Sequence, residues 1–128
     1  MIRACADRMR LPENRNNPLR DWDGREHISR SRFVKAVAQY KATRRAILAT
    51  LSEDGHGHAN ARLAQIGRDY GEAFNRLDSR APFIETEERE ELFAALNRVI
   101  SDAEAVTGND LSSARQVLTA AVDEVRQW

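Results

Sequence analysis

The chain has 128 residues, a formal net charge of zero and a thin apolar inventory: Leu, Ile, Val and Phe number 27, about 21%, close to the ~20% below which chains tend to stay disordered. One cysteine, Cys5, excludes an internal disulfide, and no apolar run reaches the roughly 20 residues of a membrane span. The first residues lack the apolar stretch of a signal peptide, so a cytoplasmic location is expected.

Residues 1–20, with prolines at 12 and 18, read as a flexible N-terminal arm that Leu11 and Leu19 pin to the body. Residues 21–128 read as one helical domain. A first, long helix is predicted from Asp23, where Asp23-Gly24-Arg25-Glu26 has the spacing of a capping box, to about Ser52. Its apolar stripe is Phe33, Val37, Tyr40, Ile47, Leu48 and Leu51. At about 28 residues it spans ~42 Å and is expected to overhang its neighbours, with Trp22 at the base of the overhang.

The second helix is predicted over 59–78, with a stripe of Leu63, Ile66, Tyr70, Ala73, Phe74 and Leu77. The third opens at Thr86, read as its N-cap, and stops at Gly108; its stripe runs from Leu92 to Val106. Asp110 caps the fourth, which is expected to end at Trp128. Glycines 24, 55, 57, 67, 71 and 108 read as breaks, and no segment alternates with the period of a strand. The predicted fold is all-α, an antiparallel four-helix bundle. Nineteen alanines give it a shallow, Ala-lined core, from which self-association is expected as well.

Charge is distributed unevenly. Residues 1–45 hold 12 of the 20 Lys and Arg but 5 of the 20 Asp and Glu, and between Glu26 and Glu53 there are six cations and no carboxylate. On the first helix, Arg32, Lys35 and Arg45 fall opposite the apolar stripe as a basic ridge. With Trp22 as an apolar anchor, they are the predicted partner-binding residues. Arg44 falls on the apolar stripe instead, and a structural ion pair with Asp69 or Asp102 is its expected role.

Together these features predict a non-enzymatic interaction protein, a small regulator, inhibitor or adaptor that binds a larger acidic protein. Arginine outnumbers lysine 18 to 2, a usage associated with GC-rich bacterial or phage genomes. The alternative is a nucleic-acid-binding protein using the same ridge with Arg3, Arg8, Arg10 and Arg15 of the arm. No helix-turn-helix, zinc-finger or RNP signature is present, and no aromatic residue interleaves with the ridge. Enzymatic readings rank below both. Arg20 and His27 match the R-x4-6-H spacing of the HEPN ribonucleases over eight residues that straddle the predicted helix start. His56 and His58, in a glycine loop, are two metal-ligand types without a placed third. No catalytic residue, metal or cofactor is assigned.

Overall fold

The computed structural model describes residues 17–53 and 59–128, all of it helix and connecting segments. A short 3-10 turn, Arg20–Trp22, precedes four α-helices: α1 (Arg30–Glu53), α2 (Ala59–Asp78), α3 (Thr86–Thr107) and α4 (Ser112–Val125). The fold is all-α, and the helices pack around one shared core. Each neighbours two others, in the order α1, α2, α4, α3 around the bundle. The most extensive of these contacts joins α2 to α4, and there the two helices run in the same direction. Gly67 faces Leu118 and Ala121, Gly71 faces Val122 and Val125, and Asn75 reaches Val125 and Gln127. At this contact the expectation of antiparallel neighbours is not met.

The first helix starts seven residues later than its sequence signals indicate. Gly24 takes a left-handed φ of 97° and breaks the chain. The Asp23 carboxylate caps nothing; it sits 3.1 Å from the Arg30 guanidinium. The Ser29 hydroxyl begins the helix instead, accepting from the Arg32 backbone N–H at 3.2 Å. No overhang forms, because residues 17–29 fold back along the bundle and bury Leu19, Trp22 and Ile28. The inward pull of an indole and two aliphatic side chains outweighs the weak helical preference of a Gly-containing segment.

The buried face of α1 is also rotated from the predicted stripe. Phe33, Ala36, Tyr40, Thr43, Ile47 and Thr50 are buried, at regular three- and four-residue steps. Val37, Leu48 and Leu51 stand at its edge. Two threonines can enter this seam because their hydroxyls are satisfied locally. Thr50 donates to the Ala46 carbonyl at 2.8 Å, and Thr43 accepts from the Gln39 amide at 3.0 Å.

Gly67 and Gly71 are not breaks. They lie one turn apart inside α2, where the missing side chains let α4 approach to backbone contact. A Cβ on Gly67 would lie 2.6 Å from the Leu118 carbonyl oxygen and 2.8 Å from Ala121 Cβ. By contrast Gly108, with φ 74°, ends α3 as expected. The N-cap of that helix lies one residue before the predicted one: it is Glu85, in a reciprocal capping box with Glu88. Asp110 does serve the start of α4, accepting from the Ser112 backbone N–H at 2.9 Å. Glu104 adds a second acceptor there, taking the Leu111 N–H at 2.8 Å. The last turn stops at Val125, and Trp128 folds back so that its indole N–H donates to the Gly71 carbonyl at 3.2 Å.

Candidate interaction surface

With the buried seam of α1 fixed, its opposite side is also fixed. Ser31, Val34, Lys35, Ala38, Ala42, Arg45, Ala49 and Ser52 are exposed, and Val34 keeps 53% of its surface. No carboxylate occurs on the helix before Glu53. Lys35 and Arg45 therefore stand on an acid-free outer face whose midline is alanine and valine.

Arg32, the third predicted ridge residue, does not belong to that face. It is half-buried, donates to the Ala81 carbonyl, and places its guanidinium 5.0 Å from the centroid of the Phe83 ring. Its cation is engaged in holding the α2–α3 connection, where Asp78 also accepts the Phe83 and Ile84 N–H groups. The rotation that turned Arg32 inward turned Arg44 outward. Arg44 is exposed, as are Asp69 and Asp102, and it makes no ion pair with either. Asp69 accepts from Gln65 within α2, whereas Asp102 lines a groove together with Arg44.

Trp22 is not an anchor for a partner. It is fully buried, edge-on to Phe74 at 6.5 Å and to Phe83 at 5.9 Å. Its indole N–H donates to Glu91 at 3.0 Å, which satisfies the one polar atom the ring carries inward.

Sequence reasoning missed a cluster of charges beside Trp22. Arg25 donates to Glu88 at 2.6 Å and to both oxygens of Glu91 at 2.8 and 2.9 Å, with Glu87 at 3.6 Å. His27 Nε2 lies 3.1 Å from the same Glu88 oxygen that Arg25 takes. The Glu88 side chain is 1% exposed. Burial alone would raise its pKa, but the Glu85 backbone N–H, His27 and Arg25 together hold it below the ordinary value. The hydrogen bonds that Arg25 donates to Glu91 raise its pKa above the ordinary value, against the lowering effect of burial. The cluster fastens the segment before α1 to the first turns of α3. Its partners lie more than 60 residues apart, so no local pattern could have indicated it.

His27, Glu85 and Glu88 are also the one trio of metal-ligating side chains brought together among the described residues. The Glu88 oxygen nearest His27 is already taken by the Arg25 guanidinium, whose charge opposes a second cation. The residues fit an ion-pair clamp better than a metal site. His56 and His58, Cys5 and the arginines of the arm lie outside the described residues. Arg20 and His27 are both placed, but neither lies in an α-helix. Among the described residues no helix is long and apolar enough to cross a membrane. No family model, curated protein or solved structure matches this chain.

Proposed function

We propose that this protein is a non-enzymatic interaction module, a small regulator, inhibitor or adaptor, that docks an acidic protein partner on the outer face of α1. The observation that carries the reading is the composition of that face. Lys35 and Arg45 are exposed on it, no carboxylate competes with them before Glu53, and exposed Ala38 and Ala42 lie between them, with exposed Val34 and Ala49 just beyond at either end. Cations attract and orient an acidic surface, and a smooth apolar midline lets a partner approach closely and lose water. A phosphate backbone uses the cations alone and gains nothing from Val34. The acid-free run along α1 keeps nucleic acid as the second reading.

The two separate by experiment. Lys35→Glu with Arg45→Glu reverses the charge without touching the core, and Val34→Ser removes only the apolar element. Binding from a native lysate is compared with and without nuclease. A discrete protein retained after nuclease, lost on charge reversal and weakened by Val34→Ser supports the proposal. Capture that disappears with nuclease and ignores Val34→Ser supports nucleic acid. Full binding by a folded charge-reversed variant removes the face from both readings.

A further inference from the structure

Between the C-terminal halves of α1 and α3 lies a groove of about 450 Å³, floored by Leu48, Leu51 and Ala103 and open to solvent. Arg44 and Asp102 also line it, and Val106 stands beside them with 87% of its surface exposed. Val106 continues the predicted apolar stripe of its helix, yet among the described residues nothing covers it. A valine left this exposed beside an apolar groove forms a knob and a hole on one surface.

We propose that the groove is the interface of a symmetric dimer, occupied by a second copy of this chain. The signs of the lining charges select that occupant. An acidic partner or a nucleic acid would be attracted by Arg44 and repelled by Asp102. A second copy related by a twofold axis satisfies both, because Arg44 of each protomer meets Asp102 of the other. The same operation brings each Val106 to the partner's groove, covering apolar surface on both sides. A formal net charge of zero leaves no overall repulsion to oppose the encounter. This inference does not depend on the proposed function: Lys35, Arg45 and Val34 lie outside the groove, and the two surfaces share only their border at Ala49 and Ser52.

The test uses charge swaps and mixing, read by light scattering and sedimentation velocity across the micromolar range. The 128-residue chain is expected to move from 14.5 kDa toward twice that mass as concentration rises. Arg44→Asp places two acids opposite each other in each half of the dimer, and Asp102→Arg places two cations. Each is expected to weaken association roughly tenfold or more while leaving circular dichroism unchanged. An equimolar mixture of the two variants is expected to recover association, because every cross-protomer pair is again of opposite sign. Recovery on mixing cannot arise from an effect confined to one chain. A monomer at all concentrations overturns the proposal. So does a dimer indifferent to both swaps, or one that the mixture fails to restore. A strict monomer whose groove takes up the apolar dye ANS, with uptake lost in Val106→Asp, overturns it in favour of a different apolar occupant.

Discussion

Where α2 meets α4, two glycines one turn apart bring the helices to backbone contact; where α1 meets α3, Arg44, Leu48, Asp102 and Val106 surround an open groove. Interhelical distance follows the size of the residues at the contact, with 8–10 Å as the usual span. The bundle is thus dense on one side and open on the other. The α2/α4 contact has no room for another atom, and the α1/α3 contact has room for a foreign side chain. Packing is closed on one side of the molecule, and on the other it leaves apolar surface uncovered.

Enlarging a residue in each contact breaks or sharpens this contrast. Gly67→Leu drives four carbons into the Leu118 backbone and is expected to cost about 3 kcal/mol or more, seen as a large fall in the denaturant midpoint. A midpoint close to that of the natural chain would mean that the α2/α4 contact is not closed. Next in size is the clamp that ties the chain before α1 to α3. Glu88→Gln removes a buried acceptor shared by Arg25 and His27, and an expected loss of about 1–3 kcal/mol is measurable by urea unfolding at neutral pH.

The pH dependence of the clamp follows from the same carboxylate. Its pKa in the folded protein lies below the ordinary 4.5, so the unfolded chain binds the proton more readily. The stabilisation is complete above the unfolded value and disappears as pH falls through the folded one. Glu104 and Asp110, also lowered by the hydrogen bonds they accept, act in the same direction. A thermal midpoint that falls on acidification below about pH 4.5 in the natural chain, and falls less in Glu88→Gln, is the expected pair of curves.

Smaller effects are expected at Gly71 and Ala49. In Gly71→Ala the new methyl meets the Val125 Cγ2 at 2.6 Å, the end of a side chain that can turn, and the Val122 carbonyl oxygen at 3.1 Å, which must give slightly; the gain in helix propensity offsets part of the clash. A midpoint shift equivalent to roughly 1 kcal/mol or less is expected. On the open side, Ala49→Leu is expected to change stability by under ~0.5 kcal/mol, since Ala49 lines the groove and is exposed. A large loss there would show that the groove is more tightly packed than described.

Much of the framework was legible in local sequence. The predicted spans of the second and third helices coincide with α2 and α3, because Leu63 to Leu77 and Leu92 to Ala103 repeat cleanly and breakers flank them. The first helix misled because its seam is finished with Ala36, Thr43 and Thr50, which a stripe drawn through large apolar residues omits. That rotation moved Arg32 inward and Arg44 outward, exchanging their expected roles. Lys35 and Arg45 stayed outside because their angles tolerate the turn. Trp22 and Arg25 were beyond local reach: their partners Glu88 and Glu91 are more than 60 residues away, and only the closed fold joins them. Gly67 and Gly71 showed the spacing of a close helix contact but were read as punctuation, since nothing local distinguishes a glycine that ends a helix from one that admits a neighbour.

Phe74 touches Trp22 at 6.5 Å and Trp128 at 6.3 Å, so a single ring lies between the only two indoles of the chain. One belongs to the segment before the first helix and the other to the segment after the last. For a spectroscopist, the intrinsic emission therefore reports the opening of one shared aromatic junction. The segments outside the helices at either end are registered by the same optical signal.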